Sequence, residues 1–430
     1  MQLPMNQLIK PVSLGWGAGA VDNWAARLRR QFPTVDDLER KAFRRIPRFA
    51  FDYMAGGVGD GKAVVRNRTA MDAIEIVPRY GIDVTSVSTE VTLFGRTYSM
   101  PLGVAPMGMT GLIWPEADAM IARAAQNARI PYVLSTVSNV GMETIARLAP
   151  DVFWFQLYAV PHDNYRVSID LAKRAEALGA RALVVTLDTP ARQKRVRDVR
   201  NGLVVPFRPT LRTMLDVARA PAWALATLRY GQPRFANFPP YLGEKQSAVD
   251  VASYVFQNMA GPITWDLISR FREIWKGTLI VKGIVHPDDS AKAAAIGLDG
   301  IIVSNHGGRQ FDAAAAAIDV LPAIRARVGD RVTVMADGSM RSGLDVLRSL
   351  SLGARFVFAG RAFLTGAAAL GEKGPAHVAG MFQEELRGVM AQAGVLGPGE
   401  AASLSTRHPG ALSFRGRDKS GSKSCARRTN

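Results

Sequence analysis

The chain has 430 residues, 48% hydrophobic and 21% charged, with 54 Lys and Arg against 37 Asp and Glu and a formal net charge of +17. The apolar content supplies a large core, and a single cysteine, Cys425, excludes a disulfide framework and a cysteine-based metal centre. No apolar run reaches the roughly 18 residues that span a bilayer, and residues 1–20 lack the continuous apolar stretch of a secretory signal. Cytoplasmic redox conditions suit this cysteine usage. Part of the charge is local: from Arg407 onward seven Lys and Arg face only Asp418 in a Ser- and Gly-rich tail that reads as disordered. No nucleic-acid recognition motif accompanies the basicity, which suits anionic lipid or anionic metabolites at least as well.

Residues 1–32 read as irregular. A helix is expected over 35–54, with Thr34 as its cap and Asp36 and Asp37 in its first turn. Residues 67–78 and 89–100 read as loop and short-strand material. An alternation then begins. Apolar strand candidates lie at 102–106, 132–135, 152–157, 182–187, 279–281, 300–303, 332–336 and 356–359, with helical segments such as 116–128, 165–178, 265–275, 288–295 and 343–350 between them. Eight buried strands alternating with helices favour a parallel (βα)8 TIM barrel, of the α/β class, over an open sheet. The boundaries expected are an N-terminal extension at 1–32, a barrel at 33–400 and a basic tail at 401–430.

The stretch 190–261, after the fourth strand, is long for a connection in a compact domain and reads as functional or mobile. Its middle mixes Leu211, Met214, Leu215, Val217, Trp223, Leu225 and Leu228 with Arg208, Arg212, Arg219 and Arg229. That composition suits a helix lying on a membrane surface; a lid packed on the barrel is the other reading.

Right-handed crossovers put all eight strand C-termini on one face, where barrels of this kind place their chemistry. The strands end in polar or glycine residues: Pro106-Met107-Gly108, Ser135-Thr136, Gln156-Leu157-Tyr158, Thr186-Leu187-Asp188, Lys282, Ser304-Asn305-His306, Asp337-Gly338 and Gly360-Arg361. Such a set suits a large, polar, anionic ligand across the barrel mouth. The loops after the last two strands carry glycine amides, Arg341 and Arg361, which suit a phosphate. Lys282 leaves an otherwise apolar strand, where a lysine usually neutralises a buried anion. The run Ser304-Asn305-His306-Gly307-Gly308-Arg309-Gln310 follows the apolar Gly300–Val303. It supplies a base for an alcohol proton, His306, and a cation for a carboxylate, Arg309.

With these motifs the chain resembles the FMN-dependent L-2-hydroxy acid oxidase and dehydrogenase family, over about residues 35–396. The run from Ser304 to Gln310 carries the resemblance, supported in order by 51–57 (Phe-Asp-Tyr-Met-Ala-Gly-Gly), 154–158 (Trp-Phe-Gln-Leu-Tyr) and 337–341. It implies FMN as cofactor, with Pro106, Met107, Gly108, Ser135, Gln156 and Thr186 lining the flavin ring and Lys282 and Ser304 beside it. Asp337 would hold the ribityl chain, and Gly338, Arg341, Gly360 and Arg361 would serve the phosphate end. His306 would be the base, oriented by Asp188, while Tyr53, Tyr158, Arg195 and Arg309 hold the substrate. Arg192, Lys194 and Arg197 crowd Arg195, which is preferred for its place nine residues after Thr186.

The resemblance further implies oxidation of an L-2-hydroxy acid, lactate- or mandelate-like, to the 2-oxo acid. Electrons would pass to a quinone or another acceptor, from a homo-oligomer, a tetramer, that sits in the cytoplasm or peripherally on the inner face of its membrane. Val137 stands where glycolate-selective members carry a bulky aromatic, which implies a roomier pocket. Another FMN or phosphate-binding barrel, such as type 2 isopentenyl diphosphate isomerase, and a non-catalytic flavin-binding protein are the competing readings.

Overall fold

The computed structural model describes residues 23–161, 163–191, 193–203, 210–242, 247–259, 261 and 263–414. Residues 1–22, Arg192, Arg208 and the end of the tail with Cys425 lie outside them, so the readings made there concern sequence alone.

Eight parallel strands form the centre: β1 (Leu102–Val104), β2 (Tyr132–Ser135), β3 (Phe153–Leu157), β4 (Ala182–Thr186), β5 (Thr278–Ile284), β6 (Gly300–Val303), β7 (Thr333–Asp337) and β8 (Phe356–Ala359). They hydrogen-bond in sequence order, and β8 returns to β1 to close the barrel. Helices pack outside and side chains fill the inside, so both strand faces are buried and the strands read as apolar runs, not alternations. In β1 to β4, β6 and β8 every residue is buried. Ser135, Gln156, Thr186, Lys282 and Asp337 are the buried polar exceptions, and each sits at or near the C-terminal end of its strand.

Strand 5 runs beyond the expected 279–281. Its register with β6 shifts between Lys282 and Ile284, across Gly283 at φ 100°. A β-bulge there re-aims the strand next to the site. A Cβ on Gly283 would stand 2.7 Å from Cβ of Asp188, so only glycine lets β5 pass that carboxylate.

The N-terminal region corrects three expectations. Residues 23–31, expected to be irregular, form helix α1 (Asn23–Gln31). The single helix expected over 35–54 is two, α2 (Val35–Arg45) and α3 (Arg48–Ala55). Pro47 has no N–H to give and forces Ile46 out of the helical region, and Ile46 is extended (φ −114°, ψ 155°). Thr34 caps α2 reciprocally with Asp37. Much of the expected loop at 67–78 belongs to α4 (Lys62–Asp72), whose buried Ala63, Asn67 and Met71 recur every four residues.

Below the barrel, Val91–Leu93 and Arg96–Tyr98 form a hairpin turned at Phe94-Gly95, both at positive φ. Phe94 approaches Gly300 at the start of β6 and lies 6.1 Å, ring to ring, from Trp154, closing the end opposite the site. The tail is ordered further than expected. Pro398–Ser403 is a 3-10 helix, and Ser405–Arg407 pairs antiparallel with Glu75–Val77.

Within the stretch after β4 lie helices Val196–Arg200, Leu211–Ala218, Pro221–Tyr230 and Ala248–Asn258. The segment returns to the barrel through Asn237, fully buried, whose Nδ2 donates to the Thr136 carbonyl and to Ser138 Oγ, both at 3.2 Å.

Candidate active site

The strand ends open into a cavity of about 2020 Å³. Of the residues singled out in the sequence, Tyr53, Pro106, Met107, Gly108, Tyr158, Thr186, Arg195, Lys282, His306, Arg309, Asp337, Gly338, Arg341, Gly360 and Arg361 line it. Asp188, Ser135, Gln156 and Ser304 stand just behind and hold the lining groups in place.

That supporting layer is a chain of hydrogen bonds. Ser135 Oγ donates to Gln156 Oε1 at 3.0 Å, and Gln156 Nε2 donates to Thr186 Oγ1 at 3.0 Å. Both are buried, so their rotamers are fixed by partners rather than by solvent. Lys282 Nζ donates to Ser304 Oγ at 2.7 Å and pairs with Asp337 at 2.8 Å. The lysine charge is thereby held at the cavity wall.

His306 sits in the left-handed region at φ 59°, followed by Gly307 and Gly308 at 63° and 77°. Three such residues in a row fold the loop back on itself. A Cβ on Gly308 would lie 2.7 Å from the Val64 nitrogen on α4, so glycine is required for the close approach. Asn305 and Asn67 exchange amide hydrogen bonds at 2.7 and 2.8 Å, which ties the loop to α4. Asn67 falls in the stretch whose sequence predicts loop and short strand, and nothing local in the sequence assigns Asn305 a role. The four-residue period of α4 is the signal that would have placed Asn67.

The turn aims the imidazole. His306 Nδ1 lies 2.9 Å from Asp188 Oδ1, and Nε2 lies 3.2 Å from the Tyr158 hydroxyl. The carboxylate selects the tautomer with hydrogen on Nδ1, leaving Nε2 as the acceptor toward the cavity. Burial pushes the Asp188 carboxyl up, but the His306 charge, its hydrogen bond and Lys282 outweigh it and hold it below the usual carboxylate range. Burial and then Asp188 push the Tyr158 phenol well above its ordinary value, so it stays a neutral donor.

Across from the imidazole, Arg309 lies over the Tyr53 ring at 4.8 Å and Arg195 at 5.7 Å. Arg309 NH1 donates to the carbonyls of Tyr53 and Gly56 at 2.8 and 3.0 Å, which fixes the guanidinium to the end of α3. Burial, and then Arg195, push Arg309 down to about 10. Two partly buried guanidiniums that repel each other call for an anion between them.

Beside Arg309, Arg361 donates to the carbonyls of Gly307 and Gly56 at 2.6 and 3.4 Å. Burial, then Arg309 and Arg341, push it down to about 9. Arg341 is held by Asp36 and Glu39 of α2, a brace that sequence reasoning did not foresee. Asp337 Oδ1 is buried without a partner. A guanidinium and glycine amides offer donors to a phosphate, and the orphaned Asp337 oxygen offers an acceptor to a polyol hydroxyl, so the residues present fit FMN.

One acid went unnoticed in the sequence. Asp198, three residues after Arg195, lines the same cavity with Oδ2 3.9 Å from Arg195 NH1. The i,i+3 spacing on a short helix was the available signal.

Comparison with known proteins agrees with this geometry. The family model for FMN-dependent dehydrogenase matches residues 42–405. An L-lactate dehydrogenase of Caulobacter vibrioides is 40% identical over 363 residues, 84% of this chain and 94% of the relative. The (S)-mandelate dehydrogenase of Pseudomonas putida is 34% identical, covering 84% and 90%. Among solved structures, a monotopic membrane protein, (S)-mandelate dehydrogenase, superposes with a TM-score of 0.82 at 33% identity, covering 86% of this chain and 98% of its own. A mandelate oxidase bound to (S)-4-hydroxymandelic acid gives 0.76 at 35%, covering 89% and 100%. These matches favour the hydroxy-acid reading over an isopentenyl diphosphate isomerase-like barrel. The chain belongs to the FMN-dependent dehydrogenase family, flavoprotein oxidoreductases that act on the CH–OH group of 2-hydroxy acids.

Proposed function

We propose that the chain oxidises an L-2-hydroxy acid of lactate or mandelate type to the 2-oxo acid, with His306 as the base. The observation that carries this reading is the chain Asp188–His306–Tyr158 opposite Arg195 and Arg309 in one cavity. FMN supplies the two-electron acceptor. Pro106 to Gly108, Ser135, Gln156, Thr186, Lys282 and Ser304 would hold its ring, Asp337 its ribityl chain, and Gly338, Arg341, Gly360 and Arg361 its phosphate.

The two arginines and the Tyr53 phenol receive the substrate carboxylate, which presents the hydroxyl to His306. Nε2 takes the hydroxyl proton, and Asp188, charged through the neutral range, stabilises the imidazolium at Nδ1. The neutral Tyr158 phenol donates a hydrogen bond toward the developing oxygen charge. Val137 is half-buried and lines the cavity beside Gly108, leaving room for a substituent larger than hydrogen. The test is anaerobic: an L-2-hydroxy acid should bleach the flavin of the purified holoprotein while its D enantiomer does not. A flavin that no 2-hydroxy acid bleaches would end this reading.

We propose further that helices Leu211–Ala218 and Pro221–Tyr230 rest on a membrane, where a quinone accepts the electrons. Leu211, Met214, Leu215, Leu225, Leu228 and Tyr230 are exposed on them at 51–82%, beside exposed Arg212, Arg219 and Arg229. Exposed apolar side chains flanked by arginine suit the headgroup boundary. The kinship to a monotopic membrane protein supports the same placement. Trp223, expected among the membrane-facing residues, is instead buried, with Nε1 donating to the Leu112 carbonyl at 3.1 Å and its ring edge-on to Phe49. No helix among the described residues is long and apolar enough to cross a membrane. A homo-oligomer is part of the proposal, and light scattering of the purified protein tests it.

A further inference from the structure

We propose that Asp198 sets the charge of the substrate site, offsetting one of the two arginines so that the cavity accepts an acid with a single carboxylate and turns away one with two. The proposal rests on the roles given above to Arg195 and Arg309.

Geometry comes first. Asp198 lies on helix Val196–Arg200, lines the cavity, and faces Arg195 at 3.9 Å. That separation is beyond a hydrogen bond, so the pair acts through charge rather than by locking one side chain to the other. Its side chain is 16% exposed, which keeps the interaction from being washed out as it would be at a surface. The helix is itself pinned. Its C-terminal Asn201 donates from Nδ2 to Asp52 at 2.9 Å, and Asp52 also pairs with Arg48 at 2.9 Å. Asp198 is therefore held beside the site rather than free to swing into water.

The electrostatics follow. Burial, with the nearby Asp52 charge, holds the Asp198 carboxyl above its ordinary value, and Arg195 and then Arg309 pull it part of the way back, so the acid answers to both substrate-facing cations. Two guanidiniums and one carboxylate leave one positive charge, which a monocarboxylate neutralises. A second carboxylate would enter a site already balanced and would meet Asp198 across a few ångströms of half-buried space. Repulsion at that range weakens binding by about ten- to a hundredfold. Asn201 already pins the helix, which leaves Asp198 to act on the charge of the site.

The test uses flavin-loaded protein and two unreactive probes, acetate and malonate, at equal ionic strength, read by perturbation of the flavin absorption spectrum. The parent should bind acetate at least about tenfold more tightly than malonate. Asp198→Asn should narrow that ratio by about tenfold, and Asp198→Glu should restore it. The same shift should appear in kcat/KM for L-malate against L-lactate. A parent that binds malonate as well as acetate overturns the proposal with no variant needed. So does an Asn variant whose ratio stays within twofold of the parent. If neither acid perturbs the flavin, the acid-binding reading of Arg195 and Arg309 falls, and the proposal falls with it.

Discussion

At the scale of single residues, the site works by setting charges against one another in partly buried space. Arg309 shows why the residue type matters as well as the charge. Its NH1 is committed to two backbone carbonyls, leaving the rest of the planar fork for an acid. Arg309→Lys keeps the charge and loses both functions. It should raise KM and lower kcat/KM by about tenfold or more, the scale of one charge-assisted hydrogen bond. Steady-state kinetics check this, and unchanged constants would hand the carboxylate to Arg195 alone. Asp188→Asn tests the other side. An amide cannot stabilise the imidazolium and can present the wrong group to Nδ1, so flavin reduction should slow by about a hundredfold or more with FMN still bound. Stopped-flow reduction reads it directly. Lys282 and Gln156 were legible as polar residues set in apolar runs, and His306 and Arg309 as the polar residues of the loop that follows one. Asn67 and Asn305 were not, because each one's partner lies far along the chain, and Asp198 was not, because a five-residue helix shows no period even though Arg195 is three residues away.

The elements were legible where their period is uninterrupted. The strands match expectation within a residue or two except β5, where the glycine bulge carries the strand past Lys282. A reading that stops at the first polar residue stops too early there. The break at Pro47 was overlooked because the apolar spacing continues through it, whereas the missing N–H does not permit a helix to do so. For the stretch after β4, composition conveyed the chemistry but not the facing: Trp223 turns inward while Leu225 and Leu228 turn out. Binding to anionic liposomes should therefore occur, weaken in 1 M salt, and drop when Leu211, Leu215, Leu225 and Leu228 are replaced by serine. Each basic residue near the surface contributes about 1 kcal/mol, which salt screens. Flotation of the quadruple variant equal to the parent would mean that this face serves as a lid. Trp223→Ala should lower the melting temperature instead, since it removes a buried ring and a hydrogen bond.

For the whole molecule, the barrel gathers cations at one end and carboxylates behind them, a set that the phosphate of FMN would complete. Arg361 is pushed down to about 9 by burial and its cationic neighbours. The protonated guanidinium is the form that holds a phosphate dianion. The ratio of FMN to riboflavin affinity of the apoprotein should thus fall as pH rises through about 9, because only FMN carries the phosphate. Fluorescence titration of the apoprotein measures both, and parallel pH profiles would remove Arg361 from the phosphate site. The closed barrel and the face that carries the chemistry were legible from the alternation alone. The α2 brace on Arg341 was not, since nothing local in Asp36 or Glu39 points to a loop some three hundred residues away.

The central claim is that His306 takes the substrate's hydroxyl proton. Anaerobic stopped-flow reduction of the holoprotein by an L-2-hydroxy acid, parent against His306→Gln, addresses it most directly. The variant should remain yellow and bind acetate as the parent does, while flavin reduction slows by about 10²- to 10⁴-fold, the range for a lost general base. Reduction at near the parental rate would contradict the account.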